Sequence, residues 1–253
     1  EINLINTLIL TVCGLIVGSA LNVFIYRIPI IDNNQLIQPN YNLFWPRSQC
    51  RNCSNTIRFF HNIPIISYLI LGGKCAYCQK IISMQYPLVE ILATCLTVFC
   101  GLYYGLIEEL IAILFFTWFL IIISFVDINH KIIPDSLSQP LLWSGLLFTV
   151  IFSNYNSPII LVDTQSSILG AVSGYLILWT IYHIHFLITK KEGLGYGDFK
   201  LLAAIGAWTG WQLIPMILFF ASILGLIFGL ISIKYGQSDK DTLIPFGPFL
   251  AIA

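Results

Sequence analysis

The chain has 253 residues, 57% of them hydrophobic and only 9% charged, with a mean hydropathy of +0.85 and a formal net charge of zero. A soluble domain carries about 25% charged residues, so a water-solvated globule is excluded, because too few charges exist to cover its surface. The balanced charge leaves no nucleic-acid footprint, and the expected class is all-α, a polytopic transmembrane helical bundle whose surroundings are the lipid bilayer.

A bilayer crossing takes about 20 apolar residues. The first apolar run is Ile2–Ile25, followed by a polar stretch from Arg27 to Gln85. Further runs follow at Tyr86–Leu106, Leu110–Val126, Leu137–Ser153 and Ser167–Thr189. The run Leu201–Ile233 is interrupted by "TGWQLIP", Thr209–Pro215, and reads as two short helices. The closing "LIPFGPFLAIA" opens one more apolar segment, so about eight spans are expected, the last of them truncated. A chain beginning at Glu1 reads as cropped at both ends, and it shows neither the charged n-region nor the small-residue cleavage site of a signal peptide. Internal repeats and low-complexity tracts are not evident. The expected organisation is a first transmembrane helix (1–26), a cysteine-rich loop (27–85) and a transmembrane part (86–253).

Lysine and arginine set the orientation. Arg27, Arg47, Arg51, Arg58, Lys74 and Lys80 lie in the first loop, and Lys131 follows the third span. Lys190, Lys191 and Lys200 lie between the fifth and sixth spans, and Lys234 and Lys240 follow the seventh. With the N-terminus outside, all of these face the cytoplasm, and the opposite loops hold only Glu108, Glu109 and Asp163.

Two acids fall at the cytoplasmic edge of this arrangement. Asp127 directly follows the apolar run Ile121–Val126, and Asp198 stands in "GLGYGDFKLL", Gly193–Leu202, behind Gly193, Gly195 and Gly197. Acids at a membrane edge are costly to desolvate and face a cavity or a partner. A carboxylate pair sharing one proton supplies both an acid and a base for attack of water on an amide. Glycines let a substrate backbone approach closely. A second account of Asp198 stands beside this one, as a solvated loop acid or the cap of a helix from Leu201. Asp135, after Pro134 and before the span from Leu137, reads as a helix N-cap.

The first loop carries "CRNC", Cys50–Cys53, and "CAYC", Cys75–Cys78. Two C-x-x-C knuckles at this separation read as a tetrahedral structural zinc site with Cys50, Cys53, Cys75 and Cys78 as ligands. A disulfide reading needs an oxidising compartment, against the cytoplasmic placement, and unmetallated reduced thiols or redox chemistry stand as the alternative to zinc. Cys13, Cys95 and Cys100 lie in apolar spans, where cysteine acts as a small hydrophobe. Asn22, Arg27 and Glu90 lie in or beside helices and invite two readings, interhelical hydrogen bonding or ligand binding. His183 and His185 read as interfacial packing residues.

The motifs together resemble the type IV prepilin peptidase family of bifunctional leader peptidases and N-methyltransferases. "GLGYGDFKLL" is similar to the family's G-x-G-D-x-K-L signature, and "DINHKIIPD" (Asp127–Asp135) to the segment holding its first catalytic aspartate. "GLIVGSALNVFIYRIP" (Gly14–Pro29), "HNIPIISYLILGGKCAYCQKIISMQYPLVE" (His61–Glu90), "IGAWTGWQLIP" (Ile205–Pro215) and "PFGPFLA" (Pro245–Ala251) resemble further family stretches in the expected order. Ala20 departs from the pattern, standing where Phe is usual. The resemblance implies an aspartic endopeptidase of the bacterial inner membrane with Asp127 and Asp198 as its catalytic pair. It also implies type IV prepilins or pseudopilins as substrates, cut at the cytoplasmic face. S-adenosyl-L-methionine is implied as methyl donor, by resemblance alone. The alternatives are a related peptidase lacking the methyl transfer and a proton-coupled transporter. Against the transporter stand the absent repeat and the placement of both acids at the edge instead of the midplane.

Overall fold

The computed structural model describes residues 4–32, 41–105, 109–152, 162–190, 193–235 and 244–253. Glu108, Lys191 and Lys240, used in the charge argument, lie outside these residues. The described residues are almost entirely helical. In chain order the helices are α1 (Leu4–Asp32), α2 (Ile66–Ile70), α3 (Gln85–Tyr104), α4 (Glu109–His130) and α5 (Asp135–Phe152), then α6 (Thr164–Thr189), α7 (Tyr196–Thr209), α8 (Ile214–Lys234) and α9 (Gly247–Ile252). Five of them, α1, α3, α4, α6 and α8, are long and apolar enough to cross a membrane. The other segments counted toward eight spans are the 18 residues of α5, the 14 of α7 and the 6 of α9. At 1.5 Å per residue, α7 reaches only about 21 Å, short of a hydrocarbon core of about 30 Å.

The chain divides into two compact units, Glu1–Ile122 and Ile123–Ala253. In the first, α1 lies against α3. A Cβ added at Gly14 would stand 2.6 Å from Thr94 Cα, and one at Gly18 would stand 2.7 Å from Glu90 Cα. The two helices therefore touch backbone to backbone, through a small-xxx-small stripe (Gly14–Gly18) of the kind that drives helix pairing in lipid. The polar residues of this pair are bonded internally. Asn22 Nδ2 donates to the Gly18 carbonyl at 3.3 Å and across to that of Tyr86 at 3.0 Å. Arg27 donates to the carbonyls of Asn42 (2.9 Å) and Leu43 (3.2 Å), and Glu90 accepts the Ile65 N–H at 2.7 Å. Leu10, Cys100, Leu110 and Leu114 form a small buried cluster at the far end of the pair.

The second unit is built around α7. Nine of its residues, Asp198, Phe199, Leu201 to Ala207, are buried, which makes it a core helix, apolar on all sides. Small residues again set the spacing, since a Cβ on Gly170 of α6 or on Gly206 of α7 would fall on the other's carbonyl oxygen. One turn on, a Cβ on Gly174 would stand 2.6 Å from the Leu202 carbonyl oxygen. Ser167 Oγ donates to the Ala207 carbonyl (2.6 Å), and Trp208 Nε1 reaches the Leu141 carbonyl of α5 (2.8 Å). The expected interruption is present: α7 ends at Thr209, Gly210 takes φ +81°, and α8 begins at Ile214 with Pro215 in its first turn, where proline lacks no needed N–H.

Candidate functional site

Asp127 lies within the last turn of α4, which runs four residues past the apolar stretch and ends where Lys131 turns left-handed (φ +55°). The Lys131 N–H closes that turn on the Asp127 carbonyl at 2.7 Å, the usual way a helix end satisfies a carbonyl. The Asp127 side chain is 4% exposed, and its Oδ2 accepts the Gly247 N–H of α9 at 2.8 Å.

Asp198 lies in the first turn of α7. The helix starts at Tyr196 instead of Leu201, because Gly195 is its N-cap and Asp198, three residues on, reaches back to it. Asp198 Oδ2 accepts the Gly195 N–H at 3.2 Å, which is half of a capping box. The side chain is 7% exposed. The capping account and the site account of Asp198 are thus both realised, by the same carboxylate.

Ile133, in the link between α4 and α5, brings the two acids into one neighbourhood. A Cβ on Gly197, next to Asp198, would stand 2.7 Å from Ile133 Cβ. One on Gly247, which holds Asp127, would stand 3.1 Å from Ile133 Cδ1 and 2.9 Å from Asp127 Oδ2. Beside them Asp135, the first residue of α5, pairs with Lys200 of α7 at 2.5 Å. That link joins the two motif segments, and its carboxylate is largely exposed. The three motif glycines have distinct neighbours: a Cβ added at Gly197 would meet Ile133, one at Gly193 would stand 2.9 Å from the His185 ring, and one at Gly195 would meet only Asp198 Oδ2, at 3.4 Å. His183 stacks on Trp179 with ring centroids 4.0 Å apart, in keeping with a packing role. The roles of Gly247, Ile133 and Lys200 were not read from sequence. The glycine of "PFGPF" was the available signal for the first.

In the first unit the four thiols of Cys50, Cys53, Cys75 and Cys78 are free and lie within 4.8 Å of one another. Cys50 and Cys78 Sγ are 3.8 Å apart, close to the sulfur–sulfur edge of about 3.8 Å that a tetrahedron with zinc–sulfur bonds of about 2.3 Å requires. The two knuckles are copies of one backbone shape. Cys50 N–H donates to the Asn55 carbonyl and Cys75 N–H to that of Lys80, at 3.0 and 2.9 Å. Ser54 and Gln79, each just after a second cysteine, take φ of +56° and +58°. A single bridge closes each knuckle, Gln49 with Thr56 and Lys74 with Ile81. The Cys53 backbone N–H first, then that of Asn52, pulls the Cys50 thiol down to about 6 against the opposing effect of burial. The Lys80 N–H lowers Cys78 in the same way. Cys53 is held up at about 11, the Asn55 N–H that lowers it being outweighed by burial and the neighbouring thiols. The convergence of four thiols within 4.8 Å is what fits a metal ion of zinc's preferences.

A buried carboxylate pair in a helical unit is joined in one chain to a four-cysteine centre, and similarity to known proteins supplies the class, a membrane peptidase. Residues 12–104 match the Bacterial Peptidase A24 N-terminal domain, and residues 114–230 match the Type IV leader peptidase family. Proteins described as prepilin leader peptidase/N-methyltransferase are similar over almost the whole chain. That of Stutzerimonas stutzeri is 41% identical over 256 residues, covering 96% of this chain and 86% of its own. That of Dichelobacter nodosus is 42% identical over 259 residues (95% and 86%), and that of Legionella pneumophila 38% over 260 residues (97% and 88%). No solved structure matches the chain. The chain belongs to the type IV leader peptidase family, as a multi-pass bacterial membrane protein.

Proposed function

We propose that this protein cleaves the leader peptide of type IV prepilins or pseudopilins at the cytoplasmic face of the inner membrane, with Asp127 and Asp198 as the catalytic pair, and N-methylates the new N-terminus. The observation that carries the peptidase reading is the pair itself. Two carboxylates from different helices are buried together, each with one oxygen fixed by a glycine N–H. Fixing Oδ2 on both sides orients the carboxyl groups toward a shared substrate without rotamer search. One carboxylate takes a proton from the attacking water and later gives it to the leaving amine, while the other, protonated, donates to the carbonyl oxygen and takes that proton back as the C–N bond breaks.

Zinc would be held by Cys50, Cys53, Cys75 and Cys78, and its contribution is structural, stapling a loop with little apolar core of its own. S-adenosyl-L-methionine enters through the relatives' names. Among the described residues no donor set identifies its site, and no step is derived through it. The division into a first helix (1–26), a cysteine loop (27–85) and a transmembrane peptidase part (86–253) is a division by role within this reading. A peptidase without methyl transfer is the second reading, differing only in that reaction. The deciding experiment incubates the membrane-reconstituted protein with a prepilin, with and without S-adenosyl-L-methionine, and reads product N-termini by mass spectrometry. A shortened, methylated product is expected. An unshortened pilin overturns the peptidase reading, and a shortened product unmethylated in both arms selects the second.

A further inference from the structure

The cysteine-rich loop has a surface unlike that of a solvated connector. Between residues 41 and 84 it carries Arg47, Arg51, Arg58, Lys74 and Lys80 and no Asp or Glu. In the same stretch Phe44, Phe59, Phe60, Leu69, Ile70 and Ile81 are each at least 72% exposed. Single exposed hydrophobes are ordinary on a soluble surface, but such a concentration calls for a cover.

The internal bonds of the first unit show at what level this surface lies. Ile65 N–H is held by Glu90, which stands five residues inside α3 from Gln85, about 7.5 Å along the helix axis. At that level α3 turns Leu88 and Ile91 outward, 53% and 49% exposed, as a lipid-facing helix surface does. Arg27, five residues before the end of α1, holds the carbonyls of Asn42 and Leu43 in the same way. Arg51 of the first knuckle lies over the rings of Tyr26 (3.9 Å) and Tyr86 (5.3 Å). The loop is thus tied alongside α1 and α3 at Asn42, Leu43, Arg51 and Ile65. α2 starts one residue after Ile65 and turns Leu69 and Ile70 outward at this depth.

We propose that the loop is a membrane-surface element: Phe59, Phe60, Leu69 and Ile70 sit in the headgroup–acyl boundary of the bilayer, and the basic residues around them pair with anionic lipid headgroups. An apolar, aromatic face with a basic border is the composition that holds a segment in this layer. Each basic residue near an anionic surface contributes about 1 kcal/mol. A surface with basic residues and no acid suits anionic lipid better than a basic leader peptide, which it would repel. The proposal requires that α1 and α3 span the bilayer and is independent of the peptidase reading.

The test places the photo-crosslinking residue p-benzoylphenylalanine at position 60, 70 or, as an exposed polar control, 55 in the full chain. Each protein is reconstituted in phosphatidylethanolamine–phosphatidylglycerol vesicles and illuminated with and without an added prepilin. Melting temperatures equal to wild type certify the fold, which exposed positions should leave intact. Phospholipid adducts at positions 60 and 70, roughly fivefold or more above position 55, are the expected result. Falling yield when phosphatidylcholine replaces phosphatidylglycerol supports the electrostatic half of the proposal, and unchanged yield overturns that half. Crosslinks at 60 and 70 to the prepilin or to a second copy in place of lipid overturn the proposal, as do lipid yields equal to those of the control.

Discussion

Gly197→Ala isolates what positions Asp198. The new Cβ would stand 2.7 Å from Ile133 Cβ and 3.1 Å from the Ile133 carbonyl oxygen. Carbon atoms rest at about 3.5–4.0 Å, so the two segments must part by about 1 Å. Ile133 Cβ is tied to its backbone and followed directly by Pro134, so neither side offers a flexible chain end to swing aside. The first turn of α7 has to move, and Asp198 is the next residue. A displacement of about 1 Å at a reacting group costs on the order of 10²-fold in rate. Stability suffers less: overpacking costs about 1–3 kcal/mol, and the better helix propensity of alanine returns up to about 1 kcal/mol. Gly195→Ala is the matched control. Its φ of −80° suits alanine, and the nearest atom is 3.4 Å away, so it should cost about 1 kcal/mol or less as a weakened N-cap and leave cleavage within about threefold. The assay is prepilin cleavage by mass spectrometry, paired with thermal melts. Gly197→Ala with near-normal cleavage would refute the argument. Equal damage from Gly195→Ala would return the glycines to another role, the close passage of substrate backbone.

Further outcomes are expected in the same assays. Asp127→Asn and Asp198→Asn should each lower cleavage by about 10²–10⁴-fold or more, whereas Asp135→Asn should be mild, because its exposed ion pair with Lys200 is worth about 0–1 kcal/mol; a dead Asp135→Asn beside an active Asp127→Asn would mean the first acid is misassigned. Elemental analysis should find about one zinc per chain, reduced in Cys50→Ser with Cys53→Ser, and metal-free protein fully active in both reactions would refute the structural role. Cys75→Ser with Cys78→Ser should reduce methylation more than cleavage provided the melting temperature holds; equal loss of both would assign the loop to something the two reactions share. Gly170→Val should lower the melting temperature sharply, since its side chain would fall on the Gly206 carbonyl, and an unchanged melt would deny the backbone contact of α6 with α7.

Much of this was legible in the residues because composition and spacing are local properties. Low charge and long apolar runs announce membrane helices, and two C-x-x-C pairs announce a four-thiol cluster, which the structure closes to within 4.8 Å. The break at Thr209–Pro215 follows from Gly210 and Pro215 in the same way. What escaped was set by tertiary neighbours. The start of α7 lay five residues early because the N3 carboxylate, not the apolar periodicity, defines it. The partner of Asp135, Lys200, lies 65 residues along the chain and could not be read from its capping sequence. The close approaches at Gly14, Gly18, Gly170 and Gly174 emerge only from the packed helices, which show what each glycine admits. The repeat of the two knuckles is one of backbone shape, which their differing side chains conceal.

The clamp of Gly247 on Asp127 joins residues 120 positions apart. At a synthesis rate of about 5–20 residues per second, about 6–24 s pass between the emergence of the acid and that of its backbone donor. Throughout that interval α5, α6, α7 and α8 have yet to insert or settle, and the nascent chain carries an acid without its partner. On the proposed reading, the fixed carboxylate pair is complete only once α9 docks. A chain halted before Gly247 lacks the N–H that fixes the Asp127 carboxylate.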